Sequence, residues 1–240
     1  MICYLCQNPT TPDTTWTTFL APTTSPICES CEAQLPTITQ PFCQRCMKPL
    51  DTPVLCQDCQ TWTAHFKEDP LTRNISLYRY TPFTQDIINR FKYRGDYEII
   101  NAFQPAIQSA YQTHFQPKPR RTLKLKSHQR QPQSPTIIPI PLHPDRQQDR
   151  LFNQAEAIAR QINQPINTTI LTRHDNTKQS KKSRHERLAS HNPFTLNESP
   201  PDHILLIDDL YTTGTTLRQA AAFLKQYGAK SVESFTLIRS

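Results

Sequence analysis

Apolar and polar positions change rhythm several times along these 240 residues. Residues 1–60 show no sustained rhythm and hold few aliphatic side chains. "ISLYRY" (75–80) alternates apolar and polar, the period of a half-buried strand. "FTQDIINRFKYRGD" (83–96) puts Phe83, Ile87, Ile88 and Phe91 on one helical face, then reaches a turn at Gly95. A second helical pattern covers 97–111. Residues 136–138 predict a short buried strand. Pro139 and Pro141 stop its ladder, because proline has no N–H to donate. "FNQAEAIARQIN" (152–163) gathers Ala155, Ile158, Ala159 and Ile162 on one face of an amphipathic helix. "TTILTRH" (168–174) is a strand candidate, and 175–194 reads as a basic loop running into a helical stretch. The chain closes with a β-α-β unit: strand 204–208, turn 209–214, helix 215–227 and strand 231–238. Leu217, Ala221 and Leu224 face inward from that helix, and Gly228 stands at its C-cap position. Strands alternating with helices predict an α/β fold with a mainly parallel sheet covered on both sides.

Length and composition add a second unit. The chain suits one full domain plus a small module. The expected division is a cysteine-rich module at 1–60, a linker at 61–74 and a sheet domain at 75–240. No basic-then-apolar leader opens the sequence, and no apolar run approaches the ~20 residues of a membrane helix. A soluble cytoplasmic protein without stable membrane insertion is expected. Charge is uneven: residues 1–60 carry two Lys/Arg against five Asp/Glu, whereas 117–187 carry fifteen against five. The basic middle suits a polyanionic partner or a phosphate-rich ligand. Within it, "PKPRRTLKLKSHQRQPQSP" (117–135) reads as an exposed basic insertion. The aromatic platform that single-strand binders often use is not evident.

All eight cysteines fall in four CxxC pairs: Cys3/Cys6, Cys28/Cys31, Cys43/Cys46 and Cys56/Cys59. Each pair turns two thiolates from one tight turn onto a single ion, and two pairs complete a tetrahedral site. Two structural zinc ions follow. A disulfide framework would need export, and a redox motif would use one CxxC rather than four. Sequential and crossed pairings both remain open. Few aliphatic residues lie nearby, so metal binding must supply most of the module's folding energy, on the order of 10 kcal/mol per site.

"ILLIDDLYTTGTTL" (204–217) carries the candidate chemistry. Ligands of such sheets bind beyond the C-terminal strand ends, where Asp208 and Asp209 stand. The next helix offers free N–H groups and a positive dipole end. Thr212, Thr213, Thr215 and Thr216 add hydroxyls, and Gly214 permits close approach. A phosphate suits the turn, and vicinal hydroxyls suit the acids, so a sugar phosphate satisfies both. A Walker B strand would need a GxxxxGK[ST] loop, and three glycines, at 95, 214 and 228, cannot form one or a GxGxxG. A receiver-domain acidic pocket lacks the threonine-rich turn. A capped helix with incidental acids leaves the acid pair unexplained.

This stretch resembles the PRPP-binding motif of type I phosphoribosyltransferases. The wider layout resembles the ComF family (ComFC, GntX-like), which joins a double zinc ribbon to a phosphoribosyltransferase-like domain. "FKYRGD" (91–96), "IPIPLHPDR" (138–146), "RLFNQAEAIA" (150–159) and "NTKQSKKSRHER" (176–187) appear in the family's order. The resemblance implies that Asp208 and Asp209 bind the ribose hydroxyls, and that Thr212, Thr213, Gly214, Thr215 and Thr216 cradle the 5′-phosphate. It places Pro139 and Ile140 in the pyrophosphate-side loop. Arg150, Asn153 and Gln154 match the family's RGFNQ segment. Gln179, Arg184, Glu186 and Arg187 match its basic stretch that could close over a pyrophosphate. Surface ion pairing is the plainer alternative for Arg150 and Arg187. Leu151 replaces a family glycine and Ser190 an asparagine, differences that bear on catalysis more than on PRPP binding.

The resemblance implies two functions. One is a PRPP-binding competence protein in uptake and processing of single-stranded DNA, working with a ComFA-type translocase and other competence proteins at the inner membrane face. The other is an active phosphoribosyltransferase, with magnesium bound alongside PRPP. A PRPP-sensing regulator on an inactive fold lies between them.

Overall fold

The computed structural model describes residues 2–10, 25–117, 134–143, 146, 149–174 and 192–240. Nearly all of the basic insertion at 117–135 lies outside these residues, as do Gln179, Arg184, Glu186, Arg187 and Ser190.

Six strands are present among the described residues: β1 Asn74–Arg79, β2 Thr136–Pro139, β3 Leu171–Arg173, β4 Phe194–Leu196, β5 His203–Tyr211 and β6 Ser231–Arg239. Four form the main sheet in the order β1-β6-β5-β2, and every pairing is parallel. The α-helices are α1 Glu29–Gln34, α2 Gln57–Phe66, α3 Pro82–Tyr93, α4 Gln104–His114, α5 Gln154–Gln161 and α6 Thr215–Gln226.

A parallel sheet needs both faces covered, so its central strands read as continuous apolar runs. On β5, Ile204 and Leu206 enter an apolar cluster with Ile138 and the inner face of α6, namely Leu217, Ala220, Ala221 and Leu224. Leu205 and Ile207 enter the opposite cluster with Ile87 and Phe91 of α3, Ile107 of α4 and Ile158 of α5. Fully burying each such side chain contributes roughly 1.5–3 kcal/mol.

Several elements differ from the sequence expectation for local reasons. β5 runs past the acids to Tyr211, because the equally long β6 pairs Leu210 with Ile238 and Tyr211 with Arg239. The pattern at 97–111 divides into a 3-10 helix, Tyr97–Phe103, and α4, whose first turn holds Pro105. β3 leaves the main sheet and pairs antiparallel with β4, Leu171 opposite Leu196. β4 itself falls at the end of a stretch read as loop and helix.

The cysteine-rich module packs on the sheet domain. Cys3, Leu5, Ile27, Cys31 and Leu35 join the α3 side of the core, and Cys43, Cys46, Cys56 and Cys59 join the α6 side. Thr37 bridges to Tyr78 and covers the β1 edge. The stretch 61–74 begins in α2 and continues through Asp69 and Leu71, both buried. The Thr72 N–H then donates to the Val232 carbonyl at 2.9 Å. Among the described residues, no helix is long and apolar enough to cross a membrane.

Candidate functional site

The cysteines gather as two sets, Cys3/Cys6/Cys28/Cys31 and Cys43/Cys46/Cys56/Cys59, with the sulfurs of each set within 4.8 Å of one another. Pairing is therefore sequential. Sγ–Sγ separations include 3.7 Å for Cys6–Cys28, 3.8 Å for Cys43–Cys59 and 3.6 Å for Cys46–Cys56. Zinc–sulfur bonds of ~2.3 Å put tetrahedral sulfurs roughly 3.8 Å apart, so both sets fit zinc. In the second set, bonding among the sulfurs holds the Cys43 thiol far below its usual range, and pushes Cys46 up to about 11 and Cys59 higher still. Thiolates this close repel one another, and a central zinc ion would relieve that repulsion. Filled by four sulfurs, each site has no open position for substrate, and its role is structural.

Asp208 and Asp209 lie beyond the point where β2 ends beside β5, at a cavity of about 420 Å³. Asp209 is buried and forms an ion pair with Lys92 near the end of α3. Apart from that pair, its Oδ2 accepts no hydrogen bond among the described residues. Asp208 accepts from the Asp209 N–H at 2.9 Å. Burial, and then the neighbouring Asp209 carboxylate, push the Asp208 carboxyl up to about 7. Lys92, Arg146, Arg150 and Arg173 line the same cavity, so two acids face four cations.

α5 and the loop after β2 build the opposite wall. Asn153 caps α5 by accepting from the Ala155 N–H at 3.0 Å, and donates Nδ2 to the Ile140 carbonyl at 3.1 Å. Arg150 is buried rather than on the surface. It donates to Gln154 Oε1 at 2.9 Å and lies over the Tyr93 ring. Gln154 Nε2 and Arg173 Nε are buried with no partner among the described residues. Unpaired buried donors are rare, and two of them in cavity-lining side chains suit an acceptor-rich ligand.

The turn follows β5. Gly214 has φ +76° and caps α6 without any side-chain bond, leaving the first-turn N–H groups without a side-chain acceptor. A Cβ there would stand 2.3 Å from both Arg218 Nη1 and the Tyr211 hydroxyl. Thr212 and Thr213 are exposed, and the Thr213 and Thr215 hydroxyls meet at 2.8 Å.

The cavity brings together Asp208, Asp209, Ile140, Arg150, Asn153, Gln154 and Thr216. Pro139 instead lines an adjoining cavity of about 480 Å³, while the other turn residues, 212–215, lie outside both linings. Arg184 and Arg187 lie outside the described residues. Sequence reasoning missed Lys92 and Arg173. Lys92 sits in the quoted "FKYRGD", but its acid partner is distant in sequence, and Arg173 looked like an ordinary strand residue. It also missed an aromatic group on α2, where Trp62 and Phe66 stack at 5.8 Å beside His65.

Two family models match the chain: a double zinc ribbon domain over residues 2–60 and a phosphoribosyl transferase domain over residues 152–240. The chain is 39% identical to competence protein ComFC of Bacillus subtilis, over all of this chain and 95% of that relative. It is 30% identical to competence protein ComFC of Streptococcus pneumoniae, over 89% of this chain and 87% of the relative. It is also 25% identical to DNA utilization protein YhgH of Escherichia coli, over 100% of this chain and 97% of the relative.

Proposed function

Because the chain belongs to the ComF family of competence proteins, we propose that it binds PRPP at the acid–threonine corner and serves the uptake and processing of single-stranded DNA in natural transformation. The observation that carries the ligand is the juxtaposition of Asp208 and Asp209 with a helix start that no side chain caps. The 5′-phosphate takes the turn at 212–216, where N–H groups and the helix dipole favour an anion. The acids accept from the ribose 2′ and 3′ hydroxyls. Lys92, Arg150 and Arg173 face the pyrophosphate and offset its charge. The family resemblance assigns Arg184 and Arg187 to the same pyrophosphate. Magnesium entering with the ligand would supply further charge neutralisation there, beside Asp208 and Asp209.

In this reading the protein works in the cytoplasm, at the inner face of the membrane, beside a ComFA-type translocase. The basic middle contacts DNA phosphates, so affinity for an oligonucleotide falls steeply with salt. Trp62 and Phe66, beside the turn, offer faces on which bases could stack.

A transferase reading has one observation in its favour. The adjoining cavity shares Arg150, Asn153 and Arg173 with the first and has room for an acceptor. An acceptor atom would form a bond to C1 of the ribose as the C1–oxygen bond to pyrophosphate breaks. Pyrophosphate release with a candidate acceptor distinguishes this reading from binding alone.

Mg-PRPP is expected to raise the melting temperature, and Asp208→Asn combined with Asp209→Asn to remove the shift. A wild-type melting curve unmoved by millimolar ligand would sink the sugar-phosphate assignment. The same double variant is expected to lower transformation frequency.

A further inference from the structure

The turn that receives the phosphate is held from behind by the second cysteine cluster. Its carbonyl oxygens accept from two buried arginines and from Trp62. Arg239 Nη1 donates to the Tyr211 carbonyl at 3.2 Å and the Thr212 carbonyl at 2.9 Å. Arg218 Nη1 donates to the Thr213 carbonyl at 3.3 Å, and Trp62 Nε1 to the same oxygen at 2.9 Å. The far ends of both arginines rest on the cluster. Arg239 Nη2 reaches Cys46 Sγ at 3.4 Å, and Arg218 Nη2 reaches Cys59 Sγ at 3.4 Å. Trp62 stands on α2, the helix that Cys56 precedes and that carries Cys59.

We propose that Arg218, Arg239 and Trp62 are positioning residues through which zinc at Cys43/Cys46/Cys56/Cys59 shapes the phosphate-binding turn and sets its affinity. The inference rests on the turn being the ligand's phosphate site.

Charge explains why the arrangement is coupled. Four thiolates around zinc leave two negative charges, and two buried arginines match them. Asp69, which binds the Arg218 guanidinium at 2.9–3.1 Å, is matched in turn by Arg45 at 3.1 Å. Both arginines lie over the Tyr211 ring, Arg239 at 4.7 Å, and Arg218 also lies under Trp62 at 5.6 Å. Neither guanidinium has water to fall back on, since Arg218 is 0% and Arg239 2% exposed. When the metal leaves, repulsion opens the two knuckles and the sulfur acceptors move. The arginines then shift, and their other ends are bonded to the turn. The first cluster is an internal control. Among the described residues, its contacts lead to the α3 side, where Arg90 donates to the Leu5 carbonyl, and none reaches the turn.

The test uses the zinc-loaded full chain. Trp62→Phe keeps an aromatic ring and deletes the N–H. It is expected to leave the melting temperature nearly unchanged, speed amide exchange across 212–218, and weaken Mg-PRPP binding about fivefold by calorimetry. Arg239→Lys is expected to act in the same direction. Zinc release to a chelator, assigned to each cluster by cysteine labelling and mass, gives the reciprocal readout. Linkage requires Mg-PRPP to tighten equilibrium zinc retention by the second cluster, against the competing chelator, by the factor that zinc contributes to ligand binding, while retention by the first is unchanged. A merely structural role would not make ligand protection selective for one cluster. Equal protection of both clusters, or Trp62→Phe with wild-type exchange and affinity, overturns the coupling. If wild type binds no Mg-PRPP but the turn amides still respond to Trp62→Phe and Arg239→Lys, the ligand reading fails and the positioning role stands.

Discussion

Asp208 and Asp209 are adjacent, yet their surroundings differ. Asp209 has the Lys92 ammonium, whereas Asp208 is pushed up to about 7 by burial and by Asp209. A carboxyl raised above its ordinary value near ~4 binds its proton more tightly in the fold than in the unfolded chain. Its contribution to stability is complete below about pH 4 and is lost as pH rises through 7. Ligand-free Asp208→Asn should therefore melt above wild type at pH 8, with the gap closing toward pH 5. Saturating Mg-PRPP should reverse the order at pH 8, since the amide is a poorer acceptor for a diol. Melting curves at the two pH values, with and without ligand, check both signs. An apo variant less stable than wild type at pH 8 would show that Asp208 stabilises the empty fold. On the proposed function, an acid unfavourable to the empty fold is kept because the ligand uses it.

At the scale of elements, the unit that matters is β5, its turn and α6. Gly214 joins them with a positive φ and no space for a Cβ, because Arg218 and the Tyr211 hydroxyl already fill that volume. Gly214→Ala should cost about 1–3 kcal/mol from backbone strain, with the clash adding to it. Denaturant unfolding checks the loss, and Mg-PRPP binding should fall with it. The apolar run, the acid pair and the start of α6 could all be read from local sequence, because strand burial and helix initiation are local signals. The reach of β5 to Tyr211 could not, since it depends on pairing with β6. Nor could the short β3–β4 pair, whose strands have three residues each and little periodicity to recognise. The sulfur pairing was open in sequence because all four knuckles have identical spacing. The chain path resolved it.

Across the whole molecule, ribbon and sheet are joined by polar bonds as well as apolar packing. Asn74 N–H donates to the Arg45 carbonyl at 2.7 Å, Arg79 N–H to the Pro36 carbonyl at 2.8 Å, and Asp69 lies between Arg45 and Arg218. The zinc-loaded chain should accordingly melt in one transition, with far-UV and near-UV circular dichroism coincident. A ribbon that melted first, with the sheet intact, would count against this continuity. The two cysteine sites were legible as chemistry, but the place of the second beneath the 212–216 turn was not, because the connection runs through Arg218 and Arg239 near the other end of the chain. That connection bears on inheritance. A domain exchanged freely between genes must leave no buried charge behind when it departs. Here, removing the ribbon would strip two arginines of their sulfur acceptors, and removing the sheet domain would strip the sulfurs of their cations. A relative that has shed the ribbon should therefore have replaced both arginines, and a graft of this ribbon onto another sheet would need to carry them along.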